Sequence, residues 1–344
     1  MLFADYGSAY HVYPFMSMAP LTAGAPGPRT NLRLLVTGAG GFLGRVMARE
    51  GAEAGHHTWR AGRSQPLPSS DSRTIRIDWS QPPDILAAHL REIEPHCIIH
   101  AAGSASVAQS MKDPHEDLRA SFGTWSHLLE AVRLSGLKPL VIFPSSAAVY
   151  GDPDSLPVRE DDTQHPISPY GWHKMLCESL AREHRDHFGL PVVITRLFSV
   201  FGASQRRLLV WELFDRFRGT NAEVHIDGTG GETRDFLSEW DVSSALLALA
   251  SAREKLAHPE APWIFNLASG RQRSILEMAQ AIGAGLGSQK PIHCLGHKRP
   301  GDPLHWQACT ARLETFLPSW RPLPFEDMLR RTLQHWTQEN ARTA

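Results

Sequence analysis

The amino-acid sequence reads as an α/β protein: a doubly wound parallel sheet followed by a smaller, mixed α/β C-terminal lobe that closes over the sheet edge. Three observations predict it. Short, continuous apolar runs of the kind that strands buried on both faces show recur between residues 31 and 200. Most are followed by a stretch with apolar positions at helical spacing, the alternation that builds a parallel sheet covered on both faces. After about residue 200 the rhythm breaks into shorter segments, the later ones separated by Pro300, Pro303, Pro318, Pro322 and Pro324.

The elements of the first unit follow in order. "LRLLVTG" (32–38) is a strand running into glycines, and "FLGRVMAREGAEAG" (42–55) is a helix stopped by Gly55. "HTWRAG" (57–62) and "TIRID" (74–78) are strands, "PDILAAHLREI" (83–93) a helix and "CIIHAAG" (97–103) a buried strand. "DPHEDLRASFGTWSHLLEAVRLSG" (113–136) reads as one helix, "PLVIFPSS" (139–146) as a strand, "SPYGWHKMLCESLAREHRDHFG" (168–189) as a long helix and "PVVITRLFSVFG" (191–202) as one more strand. In the second unit, helices are expected over 208–219, 239–254, 274–287 and 325–339, with strands "EVHIDG" (223–228) and "WIFNLAS" (263–269). The division is therefore 31–200 for the sheet domain and 201–344 for the smaller lobe, with a partly interleaved boundary. Residues 1–30 lack a basic start and a continuous apolar core, and read as a disordered extension or an over-extended start, with Met16 and Met18 as alternative initiators.

Bulk properties exclude several classes of function. Lys plus Arg number 35 and Asp plus Glu 36, so no field of one sign recruits nucleic acid or an anionic membrane. Any anionic ligand must be met by a few local arginines. No apolar run approaches the roughly 18 residues that cross a bilayer. Cys97, Cys177, Cys294 and Cys309 show no C-x-x-C or metal-ligand spacing, which fits a reducing cytoplasm. The histidine pairs His56–His57 and His184/His187 lack carboxylate or cysteine partners, so no metal is expected.

Two motifs carry chemistry. "TGAGGFLG" places Gly38, Gly41 and Gly44 three apart, directly after a strand and at a helix start. The first allows a tight turn, the second close approach of backbone to a pyrophosphate, and the third close packing of helix on strand; free N–H groups at the helix start then favour the anion. The second strand ends in Gly62 and Arg63, without the acid that usually accepts from the adenosine ribose. An arginine there suits a 2′-phosphate, so NAD(P) is the expected cofactor and NADP is favoured over NAD. Asp78, in "IDWS", stands after the third strand, where a carboxylate can meet the adenine amino group. The other motif is "YGWHK": Tyr170 and Lys174 fall on one helix face, where an ammonium beside a phenol favours its deprotonated form.

Taken with "HAAG", "PSSAAVYG" and "KRPGDP", these motifs are similar in kind and order to those of the extended short-chain dehydrogenase/reductase superfamily. Within it the chain most resembles the nucleotide-sugar 4-epimerases of the UDP-glucose/UDP-galactose type, from about residue 32 to 338. The resemblance implies a Rossmann domain and a site in which Tyr170 takes a proton from a sugar hydroxyl. Lys174 would support Tyr170 and bind the nicotinamide ribose, and Ser146 would hydrogen-bond the same hydroxyl. It implies cofactor contacts from Gly38, Gly41, Phe42, Leu43, Gly44, Arg63, Asp78, Trp79, Ala101 and Ala102, besides Tyr170 and Lys174. It further implies that Arg234, Arg299 and Asp302, with Ser146 and Ser199, bind a nucleotide-diphosphate sugar, and that the long helix pairs in a homodimer.

Departures from the pattern sharpen the expectation. Ala147 and Ala148 stand where 4,6-dehydratases of the superfamily carry an Asp–Glu proton donor and acceptor, so elimination lacks its acid and base. Ser199 stands where epimerases show Asn, and Ala120 replaces a helix Asn. The leading expectation is an NAD(P)-dependent 4-epimerase. An NADPH-dependent reductase of nucleotide-linked 4-keto-6-deoxysugars is the alternative, favoured by Gly62–Arg63. A non-catalytic dinucleotide sensor on the same fold is a third, which has no need of Ser146, Tyr170 and Lys174.

Overall fold

The computed structural model describes residues 31–63, 73–297 and 300–343; the extension 1–30 and Arg299 lie outside the described residues. The chain begins with β1 (Arg33–Thr37), α1 (Phe42–Glu53), β2 (His57–Gly62), β3 (Thr74–Arg76), α2 (Pro83–Ile93) and β4 (Cys97–His100). Then come α3 (Val107–Lys112), α4 (Pro114–Leu118), α5 (Thr124–Ser135), β5 (Leu140–Ser146), α6 (Pro169–Phe188), β6 (Val192–Leu197) and β7 (Ser199–Phe201). The remainder is α7 (Leu209–Arg218), β8 (Val224–Ile226), β9 (Thr233–Ser238), α8 (Glu239–Ser251), α9 (Arg253–Leu256), β10 (Ile264–Leu267), β11 (Gln272–Ser274), α10 (Ile275–Gly285), β12 (Ile292–Cys294), α11 (Ala311–Phe316) and α12 (Phe325–Thr343).

Seven parallel strands form the main sheet in the order β10-β6-β5-β4-β1-β2-β3. The apolar strands alternate their side chains between its two faces. Leu34 and Val36 join Met47 of α1 and Leu246 and Leu249 of α8 on one side. Leu35 joins Leu86 and Leu90 of α2, Trp125 of α5 and Ala181 of α6 on the other. That two-sided burial is why the strands read as continuous apolar runs. The smaller lobe has a three-stranded sheet, β11-β9-β7, and a two-stranded one, β12-β8, around a separate core of Phe214, Met278, Ile282 and Trp336.

Three local readings change. The expected helix 113–136 starts at Pro114 with Asp113 as its cap, but it widens into a π-turn at Arg119–Gly123 before α5. The strand expected over 191–202 divides after Leu197: β6 stays in the main sheet and β7 pairs with β9. Both pieces bury apolar residues, so nothing in the pattern marks the division. β9 was not expected because Arg234 and Asp235 interrupt its apolar run; Asp235 is nonetheless fully buried, its carboxylate accepting from the Ser269 amide and hydroxyl and from the Gly270 and Ala308 amides at 2.6 to 3.1 Å. β10, from the second half of the chain, returns to edge the main sheet beside β6.

Candidate active site

The glycine turn is shaped by steric necessity. Gly38 has φ +65°, and a Cβ there would lie 2.5 Å from the backbone of Ala101 and Ala102; at Gly44 it would lie 2.1 Å from the Gly38 carbonyl oxygen. The Gly41 amide closes the turn on that carbonyl at 2.8 Å. No side chain caps α1, so its first turn at Phe42, Leu43 and Gly44 has no side-chain acceptor from the cap position. Gly40 has open space where a Cβ would sit. A bare helix start behind a turn of three glycines and one alanine fits the pyrophosphate of a dinucleotide.

At the expected ribose end, an added Cβ at Gly62 meets none of the described residues within 4 Å. Arg63 follows it, exposed, and Arg76 is the partner of Gly62 across β2 and β3. Asp78 is exposed and accepts from the Ser80 hydroxyl at 2.7 Å and amide at 3.0 Å, bonds that hold its carboxyl below the usual range. Trp79 is half-buried, edge-on to His100 and His127.

Ser146, Tyr170 and Lys174 come together where β5 ends and α6 begins. Ser146 is the last residue of β5, and its hydroxyl accepts from the Ala148 amide at 3.1 Å, capping a single 3-10 turn over Ala147–Val149. Ser168 caps α6 by accepting from the Gly171 amide, Pro169 occupies the first turn, and Gly189 ends the helix at φ +58°. Gly171 lets the helix approach the turn: a Cβ there would stand 2.4 Å from the Ala148 carbonyl oxygen. Ser110 of α3 accepts from the Tyr170 amide at 3.1 Å, fixing the start of α6 from the other side.

The Lys174 ammonium is buried. It donates to the Pro144 carbonyl at 3.1 Å and lies 4.6 Å from the Phe143 ring centre and 5.8 Å from that of Tyr170. Burial and this neighbouring charge push His100 down to about 3, so its ring stays neutral, bonded to the Thr37 hydroxyl at 2.8 Å.

The second lobe supplies the remaining wall. The 304–306 segment pairs with β9 through Thr233 and Leu304, and Trp306 sends its indole N–H to the Gly151 carbonyl at 3.0 Å. The Arg234 guanidinium lies 5.5 Å from the Trp306 ring centre, and Leu304 is held by Asp152 at 2.8 Å. Gly301 packs against Ser168 and Val107, so the loop carrying half-buried Asp302 reaches the start of α6. Ser199, half-buried, opens β7 opposite Phe236.

Several residues escaped the sequence reading. Ser110 and Trp306 gave no signal. Glu178 had one: it lies four residues beyond Lys174, on the face of α6 that carries Tyr170 and Lys174. Its buried carboxylate binds Arg196 of β6 and Ser145 beside Ser146.

A doubly wound sheet with this turn and this Ser/Tyr/Lys cluster defines a dinucleotide-dependent class of protein. The family described as NAD dependent epimerase/dehydratase matches residues 34–268, and the chain belongs to it. A UDP-glucose 4-epimerase of Azospirillum brasilense is 29% identical over 327 residues, covering 89% of this chain and 90% of its own. A GDP-6-deoxy-D-mannose reductase of Pseudomonas aeruginosa is 30% identical over 257 residues, covering 73% and 79%. Among solved structures, a UDP-glucose-4-epimerase from Stenotrophomonas maltophila with bound NAD and formylated UDP-arabinopyranose superposes with a TM-score of 0.79 at 26% identity, over 91% of this chain and 100% of that one.

Proposed function

We propose that the protein is an NAD(P)-dependent nucleotide-sugar 4-epimerase. The observation that carries this reading is the placing of Ser146, Tyr170 and Lys174 at one end of β5 and α6, with alanines at 147 and 148 where an elimination would need an acid and a base. When bound, the nicotinamide supplies the acceptor and donor of hydride at the sugar carbon. The protein's part is to hold the proton that moves with it. Tyr170 accepts that proton at its phenolic oxygen, the Lys174 ammonium supplies positive charge beside the ring, and Ser146 orients the substrate hydroxyl. Neutral His100, anchored on Thr37, adds no second positive charge behind Lys174.

Arg234 with Asp302 and Arg299 binds the nucleotide diphosphate. At the ribose end the reading is NADP over NAD, supported by Arg63 and Arg76 flanking Gly62. The protein is cytoplasmic, in keeping with four free thiols. Two copies pair through α6, supported by Trp172 and Leu176, one turn apart and exposed, with exposed Met111 on α3.

The same arginines favour one second reading, an NADPH-dependent 4-ketoreductase. Offering UDP-glucose and UDP-galactose, and separately nucleotide-linked 4-keto-6-deoxysugars, while following NADPH absorbance and sugar products, separates the two. Interconversion of the UDP-hexoses without net NADPH loss is expected. Stoichiometric NADPH loss on a ketosugar, with the UDP-hexoses untouched, would overturn the epimerase reading.

A further inference from the structure

Behind the Ser/Tyr/Lys cluster lies a buried polar network that includes Ser145, the residue before Ser146 in β5. Glu178 is the third member of the α6 face that carries Tyr170 and Lys174, at four-residue spacing. One oxygen of its carboxylate accepts from the Ser145 hydroxyl at 2.6 Å. The other accepts from Gln164 at 2.6 Å and from the Arg196 guanidinium at 2.7 Å. Arg196 sits opposite Ser145 in the β5–β6 ladder, and donates onward to the Tyr150 hydroxyl and the Glu160 carbonyl, both at 2.8 Å. The Tyr150 hydroxyl in turn donates to Asn266 of β10 at 2.7 Å. Glu178 and Arg196 are each more than nine-tenths buried.

A buried ion pair is an expensive way to hold a core together, because each ion gives up its hydration; an apolar pair of the same volume is often as stable. What it does supply is direction. Bonds from one carboxylate to Ser145 and to Arg196 fix where α6 stands relative to the end of β5. The residue after Ser145 is Ser146, and two helical turns before Glu178 is Tyr170. The network thus ties the strand end that carries Ser146 to the helix that carries Tyr170.

We propose that Glu178, through Ser145 and Arg196, is a positioning residue that sets the distance between Ser146 and Tyr170 for proton transfer. This rests on the epimerase reading of the site. The link can be cut gently, since Ser145→Ala removes one hydroxyl and leaves the Glu178–Arg196 pair intact, while Glu178→Gln keeps the shape and removes the charge.

The test measures kcat and KM for UDP-glucose/UDP-galactose interconversion, and the Kd for NAD(P), for both substitutions in the native background and in a Ser146→Ala background. Ser145→Ala should lower kcat about tenfold and Glu178→Gln about ten- to a hundredfold, with KM and cofactor Kd changed less than about twofold. Because both act through Ser146, those factors should vanish once Ser146 is alanine. Thermal unfolding checks that each variant is folded, and Ser145→Ala decides the matter if Glu178→Gln is not. Losses that persist undiminished in the Ser146→Ala background, or an unchanged kcat in Ser145→Ala, would overturn the positioning role. A Tyr170→Phe control separates the two levels: if it stays active the site reading itself fails, whereas an inactive control with independent losses removes only the positioning role.

Discussion

Gly171→Ala is a one-methyl test of how closely α6 must approach the turn after β5. The added Cβ would stand 2.4 Å from the Ala148 carbonyl oxygen, whereas ordinary contact begins at 3.4 Å. The helix must therefore retreat by about 1 Å, because the obstacle is backbone in a capped turn rather than the end of a flexible side chain. Gly171 is the neighbour of Tyr170, so the retreat moves the phenol away from Ser146 by a comparable amount. A displacement of about 1 Å at reacting groups costs on the order of a hundredfold in rate. Stability should change less. Alanine gains up to about 1 kcal/mol in helix propensity over glycine, against about 1 to 3 kcal/mol for overpacking. The assay follows kcat for UDP-hexose interconversion beside Tm and NAD(P) affinity, with Gly219→Ala as control, where an added Cβ finds ordinary distances of 3.5 Å. A folded Gly171→Ala protein with native kcat would refute the reasoning.

Other expectations follow from the same geometry. Tyr170→Phe should lose at least about two orders of magnitude in turnover while binding cofactor normally, measured by steady-state kinetics and cofactor titration. Arg63→Ala should weaken NADP by about 1.5 to 3 kcal/mol, roughly ten- to 150-fold, and leave NAD nearly unchanged; equal losses in titrations of both would sink the NADP preference. His100, pushed by burial from an ordinary 6.5 to about 3, is neutral in the fold yet protonates in the unfolded chain below about pH 6.5. Its contribution is present above that pH and is lost as pH falls toward 3, at up to about 1.4 kcal/mol per pH unit. Chemical denaturation of His100→Asn across pH 4 to 7 should show a shallower slope than the native protein, and identical slopes would count against the assignment.

Much of this was legible because the physics is local. The turn is legible since only glycine fits at Gly38, against the Ala101–Ala102 backbone, and at Gly44, against the Gly38 carbonyl, and the two-faced strands are legible since both faces are covered. That Tyr170 and Lys174 share one face of α6 needed only helical periodicity. Partners far apart in sequence were not legible. Nothing local ties Trp306 to Gly151, 155 residues away, or Asp235 to Ala308, 73 residues away, and a buried Asp235 reads on paper as a surface residue.

Two buried carboxylates, Asp235 and Glu178, join parts of this fold. Asp235 sits beside Arg234, and its carboxylate gathers amides from the loop after β10 and from the segment after Trp306. Burial raises its carboxyl to about 6, against the pull of those four hydrogen bonds, so the fold keeps a carboxylate there at a cost in hydration. Glu178 joins α6 to β6 through its hydrogen bonds to Arg196. In both places an apolar pair would fill the space without fixing which strand lies against which, and a site assembled from β5, α6 and the second lobe depends on that registration. These two buried carboxylates lie one residue from Arg234 and two turns from Tyr170, and they supply directional bonds that apolar packing does not.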